Sequence, residues 1–148
     1  MKEKKKLQNS VPEIDVLVWR MVKLLIKSKR HLLEKVGLTC SQFDILSAIC
    51  HFTDMETEII QVDLSEKTGI DPMTTSTILR NLERKGLITR HRSTVNTRAI
   101  LINLTDEGFG LLKQANSRVR LLNKKIYENT DKDVLTSQLL KLMEKLNN

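Results

Sequence analysis

The sequence predicts a mainly α-helical fold with one small β-hairpin. Apolar residues recur at helical spacing over most of the chain, two short helices meet at the segment TGIDP, and two strand-like segments flank a polar stretch. In chain order, residues 62–108 contain a helix, a tight turn, a second helix and a hairpin with a basic tip. This order is that of a winged helix-turn-helix lobe, and further helices lie on either side of it.

The first helix of this motif is predicted over VDLSEKTG, with Val62 and Leu64 facing the core. It ends at Gly69, because glycine readily adopts the left-handed conformation of a helix end. A second helix then begins at Asp71 and Pro72. The carboxylate can accept hydrogen bonds from unpaired N–H groups, and proline suits the first helical position. The two helices are therefore joined by a very short turn.

The second helix, PMTTSTILRNLERKG, has one apolar and one polar face. The positions that follow the i, i+3, i+4, i+7 pattern are Thr75, Ile78, Leu79 and Leu82. The opposite face carries hydroxyl and guanidinium groups, on Thr74, Ser76, Thr77, Arg80 and Arg84. Hydroxyl groups can bond base edges or phosphates, and arginine can bond a guanine edge with two donors. Because consecutive hydroxyl residues are poor helix formers, their presence here favours a DNA-contacting face over an ordinary solvated one.

Beyond Gly86 the sequence changes to strand composition, with LITRHR and RAILINL separated by STVNT. This pattern predicts a two-stranded hairpin, which forms the wing. Arg90, His91, Arg92 and Arg98 place positive charge at one end of it, within reach of phosphates or a minor groove. The alternative is that one of these arginines anchors the wing within the protein, and Arg98 suits either role equally.

These segments resemble the MarR family of bacterial transcription regulators. The resemblance rests on LTCSQFDIL at 38–46, VDLSEKTGIDPMTTSTILRNLERKGLITRHRS at 62–93 and NTRAILINLTDEG at 96–108. By position, it implies DNA contacts from Thr74, Ser76, Thr77 and Arg80 of the recognition helix and from Arg98 of the wing. The chain departs from the family at Asn96, where an acidic residue is common. Asparagine keeps an acceptor but loses the charge of an ion pair that would orient the wing.

The helices outside the winged lobe carry apolar stripes that predict a dimer. The first helix runs from Pro12 to about Val36, and the others have three-four spacing at Leu112, Ala115, Val119, Leu122 and Ile126, then at Leu135, Leu139, Leu142 and Leu146. A single domain of 148 residues cannot cover all these stripes, so a second copy is the expected cover. We expect one MarR-like domain over 1–148, with a winged lobe at 39–104 and dimerisation helices at 11–36 and 105–148.

A symmetric homodimer presents two recognition helices to successive major grooves about one helical turn apart. The formal net charge of +7 also favours a polyanionic partner. We therefore expect sequence-specific binding of double-stranded DNA at a pseudo-palindromic operator. The resemblance further implies a transcription repressor that is released by a small-molecule effector or an oxidant. The alternatives are a winged protein that binds RNA or a protein partner, and a ligand carrier without DNA specificity.

Enzymatic activity, a cofactor and a metal site are not expected. The sequence has no Gly-rich phosphate loop, zinc-hydrolase motif or nucleophile elbow, and the spacing of His31 and Glu34 is not diagnostic of a metal site. No apolar run approaches the roughly 20 residues of a membrane span, and the N-terminus lacks the apolar core of a signal peptide. We therefore expect a cytoplasmic protein without membrane contacts.

Two cysteines, Cys40 and Cys50, lie on one predicted helix. Their axial separation of about 15 Å excludes a disulfide between them within one folded chain. Cys40 follows Thr39, a predicted helix cap, and unpaired N–H groups stabilise a thiolate in a first helical turn. Cys40 is therefore the better candidate for an oxidant-sensing thiol, although a thiol without a functional role is the favoured interpretation.

Overall fold

A computed structural model describes residues 13–96 and 99–148. In chain order, the elements are α1 (Ile14–Glu34), α2 (Cys40–Asp54), α3 (Gln61–Thr68), α4 (Pro72–Arg84), β1 (Ile88–Arg92), β2 (Ile100–Leu104), α5 (Asp106–Tyr127) and α6 (Lys132–Asn147). The predicted mainly helical fold with a hairpin wing is confirmed. In this described part of the chain, no helix is long and apolar enough to cross a membrane. The first two residues of the predicted segment 11–36 lie outside the described residues.

α2 lies at the centre of the lobe and contacts α1, α3, α4, α5 and β2. Its side chains Ile45, Leu46 and Ile49 are fully buried. The helix begins with a capping box in which Thr39 Oγ1 accepts from the backbone N–H of Gln42, and Gln42 Oε1 accepts from that of Thr39, both at 3.1 Å. Because two N–H groups at the helix start are satisfied by side chains, the cap fixes where the central helix begins.

α3 follows the predicted boundaries but not all of the predicted core. Leu64 is fully buried, and the helix ends at Gly69, whose φ of 71° is left-handed. The prediction that Val62 faces the core is wrong, because this side chain is exposed. Successive residues of an α-helix are about 100° apart, so two residues separated by one position lie on nearly opposite sides. Only one of Val62 and Leu64 can face the core.

The wing is a two-stranded antiparallel hairpin held to the lobe at its base. Its register runs from Ile88 opposite Leu104 to Arg92 opposite Ile100. Ile88 is buried, and the backbone N–H of buried Ile102 donates to the carbonyl of Ile59 at 3.0 Å. This bond ties β2 to the segment that precedes α3, so the hairpin is fixed to the lobe at both strands.

The remaining helices differ in how much apolar surface they leave exposed within one protomer. α1 exposes a row of large apolar side chains that includes Ile14, Leu17, Trp19, Met21 and Leu24. α6 has no buried residue. By contrast, Leu112, Ala115 and Val119 of α5 belong to the core of the protomer. The predicted stripe of α5 is therefore divided, because its first half packs within the chain.

Gly108 lies at a close approach between α5 and the start of β1. Thr105 Oγ1 accepts from the backbone N–H of Gly108 at 3.0 Å and donates to the carbonyl of Gly86 at 2.7 Å. A Cβ atom on Gly108 would overlap the backbone carbonyl of Leu87, lying 2.9 Å from its carbon. Gly110, two residues further along α5, has open space around it. Glycine is therefore required by space at position 108 only.

We predict opposite effects for alanine at these two glycines. Gly108→Ala forces the backbone apart and should lower the free energy of unfolding by roughly 1–3 kcal/mol or more. Gly110→Ala, the matched control, should raise it by about 0.5–1 kcal/mol because alanine favours a helix interior. Urea denaturation of both variants measures the difference. Equal stability of the two would show that α5 and β1 do not approach this closely.

Candidate nucleic-acid interface

Asp71 determines where α4 begins and engages one of the predicted contact residues. Asp71 Oδ1 accepts from the backbone N–H of Thr74 at 2.9 Å, and the Thr74 hydroxyl donates to Asp71 Oδ2 at 2.6 Å. The hydrogen bond from the Thr74 side chain, followed by that from its backbone, lowers the pKa of Asp71. The Thr74 hydroxyl therefore donates its proton to Asp71 within the helix cap. Towards a partner, this exposed oxygen can only accept a hydrogen bond.

The exposed face of α4 brings four of the predicted residues together. Thr75, Ile78, Leu79 and Leu82 are buried as predicted, which turns the opposite face outwards. A surface depression is lined by Met73, Thr74, Ser76, Thr77 and Arg80. Met73 is 83% exposed and was not predicted as a site residue, although it precedes Ser76, Thr77 and Arg80 at i+3, i+4 and i+7 spacing. That spacing could have identified it.

Hydrogen bonds along α4 orient the Arg80 side chain. Arg80 Nη2 donates to the hydroxyl of Thr77 at 3.3 Å, and that hydroxyl donates to the carbonyl of Met73 at 3.2 Å. Arg84, in the last turn, instead donates to Asn81 Oδ1 at 3.5 Å and does not line the depression. The structure therefore separates Arg84 from the other predicted residues of α4, although its side chain is exposed.

Among the described residues, the wing presents two of the predicted positive side chains, His91 and Arg92, outside the α4 depression. Arg92 is exposed at the end of β1. The following Ser93 is buried, and its Oγ accepts from the backbone N–H groups of Val95 at 3.2 Å and Asn96 at 3.1 Å, which closes the turn at the wing tip. The predicted wing residue Arg98 lies outside the described residues.

Arg90 has a different environment from Arg92. Its Nε donates to Glu83 Oε2 on α4, and the two side chains are 26% and 39% exposed. The interpretation of the hairpin arginines as one basic cluster is therefore wrong for Arg90. Arg90 anchors the wing within the protein, because it forms an ion pair with α4.

A cavity of about 320 Å³ lies between α1, α2 and α5. Half of its lining residues are aliphatic, and the other half carry polar groups: Lys29, Cys40, Asp44, Asn123 and Tyr127. Lys29 Nζ lies 3.3 Å from Asp44 Oδ1 and 4.8 Å from the centre of the Phe43 ring. The ion pair therefore spans the junction between α1 and the winged lobe at the edge of the cavity.

Among the described residues, the cysteines and the other side chains that could bind a metal do not form a shared cluster. Cys40 and Cys50 are half-buried and both lie on α2, as predicted. Burial and, to a smaller extent, the carboxylate of Asp54 raise the pKa of the Cys50 thiol, which disfavours the reactive thiolate. Within residues 13–96 and 99–148, no group of three or more His, Cys, Asp or Glu side chains could hold a metal ion.

Comparison with known sequences connects this arrangement to transcription regulators. The sequence model described as "MarR family" matches residues 38–100, from the start of α2 to the beginning of β2. The organic hydroperoxide resistance transcriptional regulator of Bacillus subtilis is 29% identical over 136 residues, which cover 82% of this chain and 88% of the relative. An uncharacterised HTH-type transcriptional regulator of the same organism, YdgJ, is 27% identical over 115 residues, which cover 76% of this chain and 68% of the relative.

Solved structures agree on the fold. CouR from Rhodococcus jostii RHA1, solved with p-coumaroyl-CoA, superimposes with a TM-score of 0.78 at 22% identity and covers 90% of this chain and 91% of its own. CouR bound to a 23-mer DNA duplex superimposes with a TM-score of 0.75 at 22% identity, and the match covers 92% of this chain and 93% of CouR. The match of residues 38–100 to the MarR family model, the sequence relatives named as transcriptional regulators and the shared fold agree with one another, and the chain is similar to the MarR family of transcription regulators.

Proposed function

We propose that this protein is a homodimeric, cytoplasmic repressor that binds double-stranded DNA at a pseudo-palindromic operator. The observation that carries this proposal is the depression on α4, where Thr74, Ser76, Thr77 and Arg80 meet on the exposed face of a helix held firmly by its opposite face. A helix presenting short hydroxyl groups and a guanidinium can enter a major groove and contact base edges.

The proposed contacts differ in chemistry. The hydroxyl protons of Thr74 and Thr77 are donated within the protein, so both oxygens would accept hydrogen bonds, as from adenine N6 or cytosine N4. Arg80 is a donor and would bond guanine or a phosphate. Arg84 and Arg92 lie outside the depression, and we assign them to the phosphate backbone. We also retain Arg98, by its position in the sequence, as a wing contact.

The relatives support binding to DNA as the activity. CouR, which shares the fold, is a transcriptional repressor bound to a 23-mer DNA duplex in one structure. The sequence relatives are named as transcriptional regulators, so we propose that this chain acts by binding and has no enzymatic activity.

We propose that residues 11–36 and 105–148 form the dimer interface and that 39–104 form the DNA-binding lobe. The exposed apolar rows of α1 and α6 support this division, because exposed surfaces of this kind are removed from water when a second copy covers them. Leu139, Leu142 and Leu146 of α6 share one side of that helix and are 46%, 48% and 86% exposed in the protomer.

The cavity between α1, α2 and α5 is the proposed effector site. It lies between the proposed dimer helices and the DNA-binding lobe, so a ligand held there can change the angle between them and the spacing of two recognition helices. CouR binds p-coumaroyl-CoA, and another relative is named for organic hydroperoxide resistance. Cys40 lines the same cavity and is our candidate for an oxidant-sensitive thiol.

Binding to DNA is the first test of the function. The purified protein should bind the duplex upstream of its own gene more tightly than an unrelated duplex of equal length, with the stoichiometry of a dimer. Titrations at two salt concentrations measure the electrostatic contribution to the binding of each duplex. Equal, strongly salt-weakened binding to both duplexes would contradict the proposal and favour an RNA or protein partner. Tight ligand binding with no DNA binding would favour a ligand carrier.

Replacing the arginine of the α4 depression should weaken specific binding. We expect Arg80→Ala to reduce the free energy of binding by about 1–3 kcal/mol and to relax the preference at one base pair, because a guanine contact is lost. A uniform loss across sequences would assign Arg80 to a phosphate. Arg118→Ala on α5 removes the same charge outside the depression and is the control. Equal affinities of the two variants would contradict the assignment of α4.

A charge in the apolar row of α6 should disrupt the dimer. Leu139→Glu buries a carboxylate if a second copy covers this side, so the variant should be monomeric by light scattering and should lose tight operator binding. Ser137→Glu adds the same charge on the opposite side of α6 and should remain dimeric. A dimeric Leu139→Glu variant would show that the interface lies elsewhere.

A further inference from the structure

The ion pair between Arg90 and Glu83 joins two elements of the proposed DNA-binding surface. Arg90 lies in the middle of β1, and Glu83 lies in the last turn of the recognition helix α4. Arg92, two positions further along the same strand, points to the same side of the hairpin but is exposed and has no ion pair with any described residue. The two arginines therefore have different roles, because only one of them is held by the protein.

The position of Arg90 in the hairpin suggests that its ion pair with Glu83 supports the wing. Arg90 is the cross-strand partner of Ile102, and Ile102 is the residue whose backbone N–H donates to Ile59 at 3.0 Å. Both strands are thus tied to the lobe at the same pair of residues. Beyond this pair the partners are His91 with Leu101 and then Arg92 with Ile100, and only Leu101 among these four is half-buried. An isolated two-stranded hairpin is only marginally stable, so the contacts made at this pair help to hold the wing on the lobe.

We propose that Arg90 is a positioning residue: its ion pair with Glu83 fixes the direction of the wing relative to the recognition helix, so that both contact one DNA duplex. This inference rests on the proposed DNA-binding function. It assigns to an arginine of the wing a function that requires no contact with DNA. It also assigns a favourable role in DNA binding to an acidic residue of the recognition helix.

The role of Glu83 separates this proposal from simple electrostatics. Removing a negative charge from a protein of net charge +7 ordinarily strengthens its attraction to phosphates. If Glu83 holds Arg90, removing that charge releases the wing and weakens binding instead. The two explanations therefore predict opposite signs for the same substitution. Because both side chains are partly exposed, the pair contributes little to global stability, and the variants should fold.

The experiment compares Glu83→Gln with Glu66→Gln in the full-length protein, using the duplex upstream of its own gene. Glu66 is exposed on α3 and has no ion pair with a described residue, so its substitution makes the same chemical change without releasing a partner. We expect Glu83→Gln to bind roughly tenfold more weakly than the wild type, within the range measured for lost contacts. Glu66→Gln should bind equally or more tightly.

The salt dependence provides a readout that a purely structural role would not change. Glu83→Gln removes no cation, yet loss of a wing contact should lower the slope of log affinity against log salt by about 1. The double variant Glu83→Arg with Arg90→Glu restores an ion pair of opposite polarity and should recover part of the affinity. Binding by Glu83→Gln that is as tight as that of Glu66→Gln, with an unchanged slope, would overturn the proposal.

Amide hydrogen exchange of the free protein distinguishes failure of this inference from failure of the proposed function. Faster exchange in 88–92 and 100–104 of Glu83→Gln than of Glu66→Gln is expected, because the hairpin loses its anchor. If the wild type shows no preference for its own duplex, the proposed function fails, and exchange alone decides whether Glu83 anchors the wing. Unchanged exchange in that case would overturn the anchoring role as well.

Discussion

The apolar side chains of α2 are buried by neighbours on nearly every side, and the positions of the surrounding elements depend on this burial. Ile45, Leu46 and Ile49 are fully buried, and removing each from water contributes on the order of 2 kcal/mol. This helix contacts α1, α3, α4, α5 and β2. Both parts of the proposed DNA-binding surface, α4 and the wing, therefore pack against the same helix. A well-packed centre of this kind limits how far α4 and the wing can move independently.

The arrangement of α4 follows from that packing. Four side chains of α4 are buried, and this leaves Met73 and a row of hydroxyl and guanidinium groups facing outwards. The hydroxyl residues of this row lower the helix propensity, but Asp71 and Pro72 compensate at the first turn. Internal hydrogen bonds then determine what the row can offer a partner, because Thr74 and Thr77 donate their protons within the protein.

The attachments of the lobe combine apolar burial with directional polar contacts. Ile88 and Ile102 of the wing are buried in the core, and a backbone hydrogen bond at Ile102 and an ion pair at Arg90 also tie the wing to the lobe. The junction with α1 likewise carries an ion pair, between Lys29 and Asp44, beside a cavity. Directional polar contacts have few alternative arrangements, so a small displacement at either junction breaks them rather than stretching them.

The sequence by itself determined the order and boundaries of the elements, because helix caps and turns depend on groups three or four residues apart. The caps at Thr39, Asp71 and Thr105 and the left-handed Gly69 are of this kind. Periodicity also identified the face of α4 on which four predicted residues meet. Only the tertiary structure decided that Arg90 pairs with Glu83, and that the first half of the α5 stripe is internal. These outcomes depend on which distant surfaces meet, and residue spacing within one element contains no information about its neighbour.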